Sequence, residues 1–208
     1  MNRKFAPWLL VALAALAFAG LLAWRSGVLP GATSSASGPA TTASAVGGPF
    51  QLVDQDGHPV DQSLLQHKWT AVFFGYTFCP DVCPTTLQTL GVTQQKLGPL
   101  AKDFQVVFVS VDPARDTPAK LKSYLSSDAF PKGTIGLTGT PAQVAAVAKA
   151  YGVFYAKDGA GPDYAVSHSS AIYLMNPKGQ FDSVLAYGMT PDETRDQIAR
   201  AMRQGGAA

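Results

Sequence analysis

The sequence has few cysteines, little charge and no basic cluster. Only two cysteines occur in 208 residues, both within one short stretch, so a peroxidase with a separate resolving thiol is disfavoured. Charged residues make up 14% of the chain and the formal net charge is +2. No Lys/Arg stripe is available to neutralise a run of phosphates, which sets nucleic acid aside as a partner. The charge is also unevenly placed, with none between Arg25 and Gly48. No internal repeat is visible, and the remainder has the composition of an ordinary folded domain.

The N-terminal segment has the opposite character. Phe5 to Trp24 runs about twenty residues without a charge, close to the roughly 20 needed to span hydrocarbon as a helix. Arg3 and Lys4 precede it, which predicts a cytoplasmic N-terminus and an exported remainder. A cleaved signal peptide is the alternative, because Ala17-Phe18-Ala19 before Gly20 forms an A-x-A site. The apolar run continues through Leu21, Leu22 and Trp24, longer than a signal core, and this favours an uncleaved membrane anchor over residues 1–25. Residues 26–48 are rich in Ser, Thr, Ala, Gly and Pro and cannot bury enough surface to offset chain entropy, so they read as a flexible linker. The folded domain is expected over 49–204, with 205–208 as a tail. A single-pass protein of the inner membrane, its domain facing the periplasm, is the corresponding location.

Within the domain, hydrophobic patterning predicts alternating strands and helices. Phe50, Leu52 and Val53 lead into Asp56-Gly57, a type I′ turn pair, and Val60 follows, which together predict a hairpin. Trp69 to Tyr76 and Phe104 to Val111 are nearly continuous β-branched and aromatic runs, the pattern of strands buried on both faces. A short strand is expected near Thr134 to Leu137. A closing hairpin is expected from Ala171 to Met175 and Gln180 to Ala186 around the turn Asn176 to Gly179. Pro84 suits the first turn of a helix striped by Leu87, Leu90 and Leu97. Thr117-Pro118, Thr140-Pro141 and Thr190-Pro191 each open a further helix, the last with Glu193 completing a capping box. Tyr151-Gly152 marks a helix end. This order predicts an α/β fold, a mixed sheet flanked by helices, with its site at the carboxyl ends of strands.

The cysteines stand at such an end, in Phe78-Cys79-Pro80-Asp81-Val82-Cys83-Pro84. Four residues apart at a strand-to-helix junction, their sulfurs can share one small space, and the helix amides favour thiolate over thiol. Three readings follow. A structural disulfide closes too short a loop to stabilise much. A thioredoxin-type redox pair normally has two intervening residues, and here there are three. A metal site needs one or two further donors, and that shortage suits Cu(I) better than a four-ligand structural zinc. His58 and His67 lie in polar turns and read as surface residues. His168, in Val166-Ser167-His168-Ser169, is the candidate third donor, against the alternative of a loop histidine bonded to a neighbouring serine.

Three blocks carry a resemblance: GYTFCPDVCPTTL (75–87), SVDPARDTP (110–118) and DYAVSHSSAIYLMNPKG (163–179). Together they resemble the Sco/SenC copper chaperones, and the anchor and linker resemble that family as well. The resemblance implies a thioredoxin-like fold and one copper per chain, as Cu(I) or Cu(II), held by Cys79, Cys83 and His168. It implies delivery by ligand exchange to the binuclear copper centre in subunit II of cytochrome c oxidase. Periplasmic copper carriers or thioredoxin-like reductants are further partners it admits. A thiol-disulfide oxidoreductase that reduces the oxidase cysteines is the rival role, so enzymatic activity would be secondary to carriage. Asp81, Asp112, Arg115 and Asp116 recur in the pattern. Asp81 is expected to accept amides of the cysteine loop and Asp112 to hold a neighbouring loop, with ordinary turn chemistry as the alternative. Ser167 departs from the family, many members of which carry Asp there; this puts copper(II) retention in question without removing a ligand. Met175 reads as core, and Met189 is unassigned.

Overall fold

A computed structural model describes residues 46–205. The expected anchor, most of the linker and the last three residues lie outside the described residues. Among the described residues no helix is long and apolar enough to cross a membrane.

The described residues build nine strands: β1 (Gln51–Asp54), β2 (Pro59–Asp61), β3 (Trp69–Gly75), β4 (Phe104–Ser110), β5 (Ile135–Thr138), β6 (Tyr155–Asp158), β7 (Ala165–His168), β8 (Ile172–Met175) and β9 (Phe181–Leu185). Four α-helices accompany them: α1 (Val82–Lys96), α2 (Pro118–Leu125), α3 (Pro141–Ala150) and α4 (Pro191–Gly205). Seven strands form one mixed sheet in the order β2-β1-β5-β4-β3-β8-β9, while β6 and β7 pair only with each other. The sheet is parallel across β3–β4 and β4–β5 and antiparallel elsewhere.

β3 is buried at every position, as its unbroken apolar run requires, because it pairs on both edges and is covered on both faces. Phe73, Phe74 and Phe108 are fully enclosed, and each such side chain contributes about 1.5–3 kcal/mol by burial. α1 packs against α4. The close approach at Gly91, where an added Cβ would lie 2.4 Å from the Ala129 carbonyl oxygen, explains a glycine in mid-helix. The Thr-Pro signals are met as hydrogen bonds. Thr117 and Thr140 accept from the amides of Lys120 and Gln143, and Thr190 exchanges bonds with Glu193. Gly152 ends α3 in the left-handed region at φ +65°.

One expectation needs correction. The β1–β2 turn is not type I′. Only Gly57 has positive φ (+84°), and the Gly57 amide donates to the Asp54 carbonyl at 3.0 Å, the pattern of a longer loop closed by a left-handed glycine. The β6–β7 hairpin was not anticipated, because its strands alternate weakly and are only half covered. Ordered contacts also begin ahead of Pro49, since the Gly47 amide donates to the Ala150 carbonyl at 3.0 Å.

Candidate metal centre

β3 delivers the chain to the carboxyl end of the sheet at Gly75, and the loop 76–81 carries it into α1. The Cys79 amide donates to the Tyr76 carbonyl at 3.2 Å, turning the sulfur back toward the helix start. There the Cys83 amide donates to Cys79 Sγ at 3.4 Å, a helix N-terminal N–H aimed at a sulfur, which favours the thiolate. Cys83 is fully buried and Cys79 partly exposed, and both are free thiols.

The two sulfurs are electrostatically unequal. The hydrogen bond from the Cys83 thiol, with backbone N–H groups adding to it against burial, draws Cys79 down to about 5. Cys83 is held far above the ordinary thiol range, first by the hydrogen bond its thiol donates to the Cys79 sulfur and then by burial. One thiolate and one thiol therefore share the site at neutral pH, and a soft cation that displaces the remaining proton gains two thiolates.

His168, the last residue of β7, completes the cluster. The sulfurs of Cys79 and Cys83 and a ring nitrogen of His168 all lie within 4.8 Å of one another, with Nε2 3.5 Å from Cys83 Sγ. Donors around a trigonal ion at about 2.3 Å would stand about 4 Å apart, so the three atoms need only a small closure. The other ring nitrogen, Nδ1, is 2.9 Å from the Ser169 carbonyl oxygen. A carbonyl only accepts, so Nδ1 carries the proton and Nε2 keeps its lone pair toward the sulfurs, the arrangement that orients a ligating imidazole. The ring meets Tyr76 edge-on at 5.8 Å between centroids and Phe73 at 6.3 Å.

The remaining expected residues distribute differently. Asp81 is exposed at the start of α1 and caps no loop amide; its carboxylate accepts from the Thr85 hydroxyl at 3.3 Å. Asp112 is buried and accepts from Tyr164 and Arg115. Ser167 is exposed beside His168 and lines the open groove of about 380 Å³ that leads to Cys79. His58 and His67 are exposed, Met175 is core, and Met189 packs half-buried against it. A larger cavity of about 550 Å³ lies between the β1–β2 hairpin and Gln143 but contains no thiol or imidazole.

The sequence names Asp116 only as part of the family pattern and assigns no role to it or to Gly75. A Cβ on Gly75 would lie 2.8 Å from Cys83 Sγ, so the sulfur occupies space that only glycine leaves free. Asp116, fully buried, accepts from the Thr77 amide (3.0 Å), the Thr77 hydroxyl (2.6 Å) and the Ser110 hydroxyl (2.6 Å). That ties the cysteine loop to the end of β4. Burial raises its pKa despite these donors.

A family model described as SCO1/SenC matches residues 38–203. Protein SCO1 homolog 1, mitochondrial, of Arabidopsis thaliana is 38% identical over 169 residues, covering 80% of this chain and 50% of that protein. The chain thus spans about half the length of this and of the yeast relatives it matches. Among solved structures, Bradyrhizobium japonicum ScoI with copper bound is 43% identical with a TM-score of 0.69, over 76% of this chain and 99% of that one. BsSco, described as having a disulfide switch and as a member of the Sco family of cytochrome c oxidase assembly proteins, is 25% identical with a TM-score of 0.59, over 76% and 94%.

Proposed function

This chain belongs to the SCO1/SenC family, and from that premise we propose that it is a copper carrier serving cytochrome c oxidase assembly. The observation that carries the reading is the convergence of two sulfurs and one imidazole nitrogen within 4.8 Å, from stretches of chain 85 residues apart. In this reading Cys79 and Cys83 hold Cu(I) as thiolates, and His168, already in the tautomer that leaves Nε2 free, completes a trigonal site that also accepts Cu(II). The exposed groove beside Cys79 admits an incoming thiolate. Transfer then proceeds by ligand exchange, without free ion, to the binuclear copper centre of oxidase subunit II. Residues 1–25 anchor the protein in the inner membrane and 26–48 tether the domain of 49–204 in the periplasm, where periplasmic copper carriers or reductants meet it.

A second role, thiol-disulfide reductase toward the oxidase cysteines, is favoured by one observation: Cys79 is partly exposed with a thiol drawn down to about 5, while Cys83 is buried. That is the division between an attacking and a resolving thiol. Such a reaction oxidises the pair to a disulfide and passes two electrons to the partner disulfide, which leaves as two thiols.

The full-length protein, reduced and loaded with copper, is expected to hold one ion per chain. Copper no greater than that of the Cys79→Ser, Cys83→Ser double variant sinks the carrier reading. His168→Ala, returned to cells lacking the wild-type chain, is expected to lose oxidase activity; full activity would favour the reductase instead.

A further inference from the structure

The turn from Val111 to Asp116 touches both halves of the site. We propose that it is a clamp setting the distance between the cysteine loop and His168, with Tyr164 as the positioning residue for the imidazole; this rests on the copper reading above.

The cysteine side is bound by Asp116, whose three hydrogen bonds include two from Thr77, two residues before Cys79. Apart from a hydrogen bond between the Tyr76 side chain and the Val166 backbone, the imidazole side has no tie of this kind from the cysteine loop itself. β6 and β7 bond to each other and share no strand pairing with the seven-stranded sheet, so side chains must seat the hairpin against the cysteines.

The turn supplies those side chains. The Tyr164 hydroxyl donates to Asp112 Oδ1, and Asp112 Oδ2 accepts from Arg115 Nε. Arg115 Nη1 donates to the Pro162 carbonyl at 3.2 Å, and the guanidinium carbon lies 3.6 Å from the Tyr164 ring centroid. The same guanidinium covers the ring of Phe78 at 4.7 Å, directly beside Cys79. Asp112, only 4% exposed, is the shared acceptor, and charge-assisted bonds of this kind are stronger than neutral ones.

The burial alternation carries the clamp to the metal site. Within β7, Val166 and His168 share a face, Val166 being 6% exposed; Tyr164, the residue before the strand, is half-buried like His168 while Ala165 and Ser167 are exposed, so the alternation extends to it. Releasing Tyr164 frees the entrance to β7 and with it the tilt of the imidazole. The two sulfurs, held by β3, α1 and Asp116, stay where they are. Cu(I), satisfied by two thiolates, should barely register the change, whereas Cu(II), which needs the nitrogen donor, should.

The test compares full-length wild type with Tyr164→Phe, which keeps the ring and removes the hydroxyl. Asp112→Asn repeats it from the acceptor side should the first variant fold poorly. Two readouts are taken: amide hydrogen exchange of the metal-free protein, and titration with Cu(II) supplied as its glycine complex, followed by electron paramagnetic resonance. In Tyr164→Phe, exchange at the β6–β7 amides should rise about tenfold with β3 and β4 unchanged. Cu(II) should bind about tenfold more weakly with diminished nitrogen coupling, while Cu(I) stoichiometry is kept. Unchanged hairpin exchange together with unchanged Cu(II) binding overturns the clamp, as does a uniform rise in exchange across the main sheet. If the wild type takes up no copper yet the hairpin loosens selectively in Tyr164→Phe, the clamp stands and the copper reading falls.

Discussion

Replacing Gly75 by alanine tests whether the end of β3 is shaped around a sulfur. The added Cβ would lie 2.8 Å from Cys83 Sγ and 2.8 Å from Phe108 Cε2, whereas ordinary nonbonded contacts are about 3.5–4.0 Å. Each neighbour must therefore retreat by about 1 Å. Phe108 has little room, being fully buried and packed on Phe73 at 6.0 Å and Tyr124 at 5.9 Å. Cys83 can turn about one bond, so the sulfur yields first. A ligand displaced by about 1 Å far exceeds the ±0.2 Å that a metal site tolerates, and a shift of that size in positioned chemistry costs about 100-fold. Overpacking adds about 1–3 kcal/mol of destabilisation; at about 2 kcal/mol, Tm falls by about 4–8 °C. Gly57→Ala separates the two effects. An alanine there meets open space but is forced into φ +84°, a strain of about 1–2 kcal/mol in the turn of the β1–β2 hairpin at the sheet edge. Copper affinity and thermal unfolding should be measured for both variants. If Gly75→Ala binds copper as the wild type does, or if Gly57→Ala loses it equally, the steric argument is wrong.

The unequal thiols should be visible in alkylation of the reduced, metal-free protein. Because folding lowers the Cys79 pKa, its thiolate persists as pH falls until about 5, so the rate of iodoacetamide labelling should show its midpoint near 5 and stay flat above. A midpoint at the ordinary thiol value of about 8.5 would rule out the depressed thiolate. Thr190→Ala removes one half of the exposed capping box with Glu193 and should cost about 1 kcal/mol in denaturant unfolding with copper binding intact; a concomitant loss of copper would mean that α4 shapes the site.

The readability of this chain followed the strength of its local signals. β3 and β4 announced themselves because strands enclosed on both faces need unbroken apolar runs, and the helix starts did so because Thr-Pro satisfies an orphan amide and wastes no donor. The cysteine loop was legible from spacing and from its place at a strand end. The third donor was harder to place, since its hairpin is half exposed and its strands lack a clean alternation, so His168 rested on resemblance until β7 gave it coordinates beside the sulfurs. For Asp81 the amide-accepting reading fails and local chemistry at the helix start remains: its carboxylate accepts from the hydroxyl of Thr85 and caps no amide. The roles of Gly75 and of Asp116, which the pattern only names, are not legible because they depend on contacts across 8 residues to Cys83 and 39 residues to Thr77, which no periodicity records.

Because His168 stands on a two-stranded hairpin outside the seven-stranded sheet, the third donor shares no strand pairing with the ladder that positions the two sulfurs. In the proposed carrier, release of that one donor would open a coordination vacancy for an acceptor and break no rung of the main ladder. Cargo release would then draw on the side-chain ties of the hairpin and leave the core intact.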